Sequence, residues 1–153
     1  MTDKNLLVIT PHRKEPGKQR IAAYCRVSSR SDEQLNSLTN QINFYRSLFE
    51  NDDTVVFVGI YAEEGLSGTQ AESRPQFMKM IEDCRSGLID CIRTKSVSRF
   101  GRNTVDTLIY TRELRSLGID VFFEKENIHS TESSGELMLT LMAGVSESES
   151  ETM

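Results

Sequence analysis

Two apolar patterns alternate along the chain. Runs rich in β-branched and aromatic residues, "IAAYCRV" (21–27), "TVVFVGIYA" (54–62), "LIDCIRT" (88–94) and "IDVFFEKE" (119–126), predict strands. The second is apolar almost throughout, the pattern of a strand covered on both faces. Between the runs, apolar residues recur at helical steps. Over 32–49 they are Leu35, Leu38, Ile42, Tyr45 and Phe49, one stripe on one helix. "QFMKMIEDCRSG" (76–87) predicts a second helix, with Ser73 as N-cap, Pro75 in the first turn and Gly87 as the stop. "NTVDTLIYTRELRSLG" predicts a third, closed by Gly118. From Ser133, "SSGELMLTLMAGVSESES" predicts the start of another.

Strand and helix therefore alternate four times. This predicts an α/β fold, a mostly parallel central sheet of about four to five strands with helices on both faces. Pro11, Pro16 and Gly17 break residues 1–19 into a flexible leader. One domain is expected over 20–145, with 146–153 as the start of a longer interface helix. The closing "SESESETM" is acidic, has no apolar face and looks cut short, which suggests a piece of a longer protein.

Composition narrows the classes. The chain has 153 residues, 37% hydrophobic and 27% charged, ordinary values for a globular domain. No apolar run is long enough for a membrane span, and residues 6–9 are too few for a signal-peptide core, so a cytoplasmic location without membrane contact is expected. The three cysteines lack metal-ligand spacing and read as buried reduced thiols. The two histidines, His12 and His129, fall in loop-like segments, so neither a metal nor a cofactor is expected. A net charge of −5 argues against a general nucleic-acid binder. The charge is uneven, however: Arg93, Lys95, Arg99 and Arg102 crowd one segment that holds no acid.

In open α/β sheets, ligands collect beyond the carboxyl ends of the strands. Arg26 and Ser28 close the first strand, the glycine-containing loop "EEGLSGTQAESRP" follows the second, and "KSVSRFGR" follows the third. A serine hydroxyl is a weak nucleophile unless a base or a strongly polarised electrophile helps it. No Ser–His–Asp set stands at these ends, whereas arginines do. Arginine grips phosphate oxygens through a planar, permanently charged fork, which suits attack on a phosphodiester. From the residues alone Ser28 and Ser29 are both candidates, and both also fit as turn formers or caps. Arg26 fits equally as half of a buried ion pair, and the basic run as a solvated face.

"YCRVSS", "GLSG", "KSVSRFGRN" and "FEKENI", in this order, resemble the catalytic domain of serine recombinases, the resolvase/invertase family, and most nearly its large members. The resemblance runs from about residue 20 to the end. It implies that Ser28 is the nucleophile and that Arg26, two residues earlier, holds the scissile phosphate. It implies further that Arg74, the arginine of the mobile loop after strand two, and Arg99 and Arg102, the pair after strand three, are catalytic, binding the phosphate with Arg26 and stabilising the transition state. Gln41 corresponds to a helix glutamine near the site, and Glu149 to the glutamate at the start of the long interface helix. Glu63 and Ser98 depart from the pattern, both standing where aspartate is common, although serine at the second place fits the large recombinases. The implied reaction is cleavage and rejoining of a duplex DNA site through a 5′-phosphoserine, as in the integration, excision or inversion of mobile elements. It needs no ATP and no metal and is carried out by dimers that pair into a tetramer. The competing readings are a non-enzymatic, DNA-associated oligomerisation domain and a phosphatase or nucleotide-binding module on the same sheet edge.

Overall fold

The structure, a computed structural model, describes residues 17–27, 31–64 and 74–151. The elements in chain order are β1 (Gln19–Arg26), α1 (Asp32–Phe49), β2 (Val55–Glu63), α2 (Pro75–Arg85) and β3 (Cys91–Thr94). They continue with α3 (Val97–Phe100), α4 (Thr104–Ser116), β4 (Asp120–Phe123), β5 (Ile128–His129) and α5 (Ser133–Glu151). The five strands form one sheet in the order β2-β1-β3-β4-β5. β1 to β4 run parallel, and β5 pairs antiparallel with β4.

β1 sits between β2 and β3 and is buried on both faces, which explains its unbroken apolar run. Its side chains alternate. Ala22 and Tyr24 join a core with Phe77 and Met80 of α2, Leu108 and Leu114 of α4, and Leu139 and Ala143 of α5. Ile21, Ala23 and Cys25 join a second core with Leu38, Tyr45 and Phe49 of α1. Helices thus cover both faces, and the α1 stripe read from the sequence is the one that packs.

Several local readings change. Ser73 lies outside the described residues, and α2 is capped differently. Arg74 occupies the N-cap position in a left-handed conformation (φ 41°, ψ 58°), with no side-chain acceptor to offer. Pro75 has no N–H, so the first donors needing partners are those of Gln76 and Phe77. Glu63, at the end of β2, accepts both, at 3.1 and 3.3 Å. "KSVSRFGR" is not a simple loop, since it contains α3, a single turn too short to show periodicity. His129 is on β5, a strand of two residues, rather than in a loop. Gly87 and Gly118 lie just past α2 and α4, as predicted.

α5 begins at Ser133 and continues through 146 without a break, so the backbone of Glu149 lies within this helix and not at its start. Leu139 and Ala143 bury against the domain, whereas Leu137, Met138 and Leu141 are exposed by 59%, 46% and 55%. All three cysteines are buried and free, and burial pushes each thiol up to about 12. They are inert neutral groups at ordinary pH. Among the described residues no helix is long and apolar enough to cross a membrane.

Candidate active site

Three segments meet at the carboxyl edge of the sheet: the end of β1, the end of β2 with the start of α2, and residues 96–106 after β3. The residue at the end of β1 that the sequence singles out, Ser28, lies outside the described residues, as do Ser29 and the "GLSG" loop. Arg26 is described and half-buried. Pairing of β1 with β3 stops at Tyr24, two residues short of Arg26. Gln41 of α1 takes over: its Oε1 accepts from the Arg26 N–H at 3.3 Å and its Nε2 donates to the Arg26 carbonyl at 3.2 Å. A side-chain amide thus substitutes for the missing strand and fixes the backbone of Arg26.

The Arg26 guanidinium reaches across to the end of α3. Its Nη2 donates to the carbonyls of Ser98 at 2.7 Å and Gly101 at 3.5 Å, and its Nε to that of Arg99 at 3.1 Å. Phe100, the remaining carbonyl of this run, accepts from Nη2 of Arg74. Four successive carbonyls, 98 to 101, are thus held by two guanidiniums. A helix C-terminus carries partial negative charge, and cations are the natural partners of its carbonyls. Burial lowers the pKa of Arg26, and the like charges of Arg74 and Arg99 add to this, partly offset by Tyr24 and Glu63. It remains a cation at neutral pH.

Arg74 is buried, with 6% of its surface exposed. Its Nη2 also donates to the Tyr24 hydroxyl at 3.1 Å, its Nη1 is 3.6 Å from Asp106, and its guanidinium lies 3.9 Å from the Phe77 ring centroid. In this arrangement it holds the segment after β3 in place and does not face solvent. Tyr24 donates to Glu63 at 2.6 Å, and burial raises its pKa, so it stays a neutral hydroxyl. The longer stem of Glu63 is used in full: one carboxylate serves Tyr24 and the first turn of α2.

Arg99 is half-buried, and no side-chain partner holds it among the described residues. Arg102 is more open, and its Nη2 is 3.4 Å from Asp106 Oδ1. Ser98 is exposed and shares a hydrogen bond with Ser96 at 3.0 Å. Gly101 lets this segment lie against α4, because a Cβ there would sit 2.7 Å from the Thr107 amide nitrogen. Arg93 stands apart, paired with Glu124 at 2.8 Å and stacked on Phe122. A groove of about 560 Å³ beside the cluster is lined by Asn36, Asn40, Gln41, Phe44 and Lys95 among others, and by none of the arginines. Among the described residues no group of side chains is placed to hold a metal ion. Tyr24 and Asp106 escaped the sequence reading. Tyr24 looks like any core aromatic, and Asp106 like any first-turn acid.

A family model described as the resolvase N-terminal domain matches residues 21–153. The chain belongs to the resolvase family. It is similar to the N-terminal catalytic domain of TP901-1 integrase (27% identity, TM-score 0.60), over 88% of this chain and 98% of that one. It is also similar to a resolvase family site-specific recombinase from Streptococcus pneumoniae (29% identity, TM-score 0.72), over 88% and 90%. The catalytic domain of ISC1926 TnpA, an IS607-like serine recombinase, shares the fold at 18% identity and a TM-score of 0.56, over 69% and 68%. No curated protein sequence matches. This is a serine recombinase catalytic domain, and its α/β sheet is that of its structural relatives.

Proposed function

We propose that this domain cleaves and rejoins duplex DNA through a phosphoserine intermediate. Ser28 Oγ attacks the scissile phosphorus, the bond from phosphorus to the 3′ oxygen breaks, and the 5′ phosphate stays on the serine. One proton leaves the Ser28 hydroxyl and one arrives at the 3′ oxygen. Religation reverses the step with the 3′-hydroxyl of an exchanged strand, so the phosphodiester energy is kept and no ATP is consumed. The carrying observation is the convergence of Arg26 and Arg99 at the end of the strand that leads into Ser28, with no carboxylate in ion-pair contact with either among the described residues. Such a cluster suits a phosphate whose charge grows in the transition state. Arg102 adds a third guanidinium from the same segment. Arg74 and Gln41 place these groups, and Glu149 comes from α5. Location in the cytoplasm, and integration, excision or inversion as the outcome, belong to the same reading.

The exposed Leu137, Met138 and Leu141 on α5 support assembly of copies of this chain, as a dimer pairing into a tetramer on DNA. With a net charge of −5, few phosphate contacts are available to residues 1–153, so sequence-specific binding is assigned to a region outside them. Tight sequence-specific binding by residues 1–153 in an anisotropy titration would remove that assignment. The reaction itself is tested by trapping covalent adducts on nicked duplex substrates with the full-length protein. Adducts are expected with the unsubstituted protein and with Ser29→Ala, and none with Ser28→Ala. The reverse pattern would move the nucleophile by one residue, and no adduct in any protein would reject the mechanism.

A further inference from the structure

Asp106 is 9% exposed and lies in the first turn of α4. An acid here has an ordinary use as an N-terminal helix charge, while the cap itself is Asn103, which accepts from the Asp106 N–H at 2.8 Å. The carboxylate turns elsewhere. Oδ2 accepts from the Arg102 backbone N–H at 3.0 Å and is 3.6 Å from Arg74 Nη1, while Oδ1 is 3.4 Å from Arg102 Nη2. One buried carboxylate therefore touches Arg102 twice and ties it to Arg74. Arg74 in turn holds the Phe100 carbonyl, and Arg26 holds those on either side.

We propose that Asp106 is a positioning residue for DNA cleavage, setting the backbone and guanidinium of Arg102 so that its remaining N–H groups face the scissile phosphate. The chemistry favours a carboxylate over an amide at this place. A carboxylate offers about four lone pairs on two oxygens, enough for three donors, whereas an asparagine offers one oxygen and two donors of its own. Asparagine would put an N–H against Arg102 or Arg74, two groups that can only donate. Arg102 keeps donors to spare, since a guanidinium has five and Asp106 engages one nitrogen. The assignment rests on the recombinase reading above and goes beyond it by naming what aims one of its arginines.

The test uses Asp106→Asn, Arg102→Ala and the double variant in the full-length protein, with rates taken per folded molecule below every melting temperature. Single-turnover cleavage at saturating DNA is expected to fall at least tenfold in Asp106→Asn, while the half-saturating DNA concentration changes less than threefold. The double variant is expected to be no slower than Arg102→Ala by more than about threefold, because Asp106 acts through Arg102. A helix-stabilising role alone would lower the melting temperature and leave the rate per folded molecule unchanged, and that result overturns the proposal. So do defects that multiply in the double variant. Should Asp106→Asn not fold, the same cycle with Asp106→Glu, whose longer stem displaces the carboxylate, decides by the same criterion. An unsubstituted protein that forms no covalent adduct would reject the recombinase mechanism itself, a failure distinct from wild-type rates in Asp106→Asn.

Discussion

Arg20 and Arg26 stand at the two ends of β1, and they are held in opposite ways. Arg20 meets one carboxylate squarely: its Nε and Nη2 donate to the two oxygens of Asp90 at 3.0 and 3.1 Å, and its backbone N–H donates to the same group. The hydrogen bond to Asp90 raises its pKa. Arg26 has no such partner among the described residues. It spends its donors on carbonyls, lies near Arg74 and Arg99, and its pKa is lowered, burial being the largest cause. An arginine neutralised by its own carboxylate is finished as a structural element. Cations gathered without enough acid leave a positive charge that an outside anion can satisfy.

The largest expected effect is at Arg99. Arg99→Ala or Arg99→Lys should cost about 2–4 kcal/mol of barrier in single-turnover cleavage at saturating DNA. The melting temperature should stay within about 2 °C, since no side-chain partner among the described residues is lost. Wild-type rates in Arg99→Lys would reduce the cluster to general DNA attraction and dissolve the contrast with Arg20. Arg20→Ala should do the opposite. It leaves Asp90 short of its partner and should destabilise the fold by about 1.5–3 kcal/mol in urea unfolding, with cleavage per folded molecule unchanged. A rate defect in this variant would show that both ends of β1 serve the reaction.

Gly101→Ala sharpens the comparison from within the site. The new methyl would strike Thr107, forcing the segment away from α4. About 1–3 kcal/mol of stability should be lost, together with cleavage, because the carbonyls that anchor Arg26 and Arg74 move with it. Undiminished cleavage would show that the carbonyl clamp is dispensable. The smallest effect belongs to Arg85 and Glu113, an exposed pair at 2.6 Å. The hydrogen bond to Arg85 lowers the Glu113 pKa. Its contribution, under about 1 kcal/mol, is therefore present above the usual carboxylate range and lost as pH falls through the lowered value. Arg85→Ala should narrow its stability gap to wild type between about pH 5 and pH 3 in urea titrations. A gap independent of pH would mean that packing of the arginine stem, not charge, makes the contribution.

Much of this was legible in the sequence, for identifiable reasons. β1, α1, β2, α2, α4 and β4 carry period and boundary signals strong enough to read directly. α3 and β5 do not, because four and two residues are too few for any periodicity. Arg26, Arg99 and Arg102 could be singled out because an arginine closing an apolar strand, and a run of basic residues without an acid after another strand, are visible in sequence. The partners of Arg74 could not, since Asp106 is thirty-two positions away and Phe100 contributes only a carbonyl. Backbone acceptors leave no mark in residue identity, so the contacts that make Arg74, read from the sequence as a mobile-loop arginine, a buried clasp are visible only in three dimensions.

The root of α5 is gripped. Gly135 sits so close to the His129 carbonyl that no side chain fits between them, and Arg112 of α4 donates to Glu136 at 3.0 Å in the same turn. The hairpin that His129 closes carries Glu126, whose Oε1 accepts from the Val97 N–H at 3.1 Å at the start of α3. The hold extends to Leu139 and Ala143, which bury in the core. A load carried along α5 would be felt first at this root, and a single hydrogen bond, from the Val97 N–H to Glu126, joins the root to the segment that carries Arg99 and Arg102.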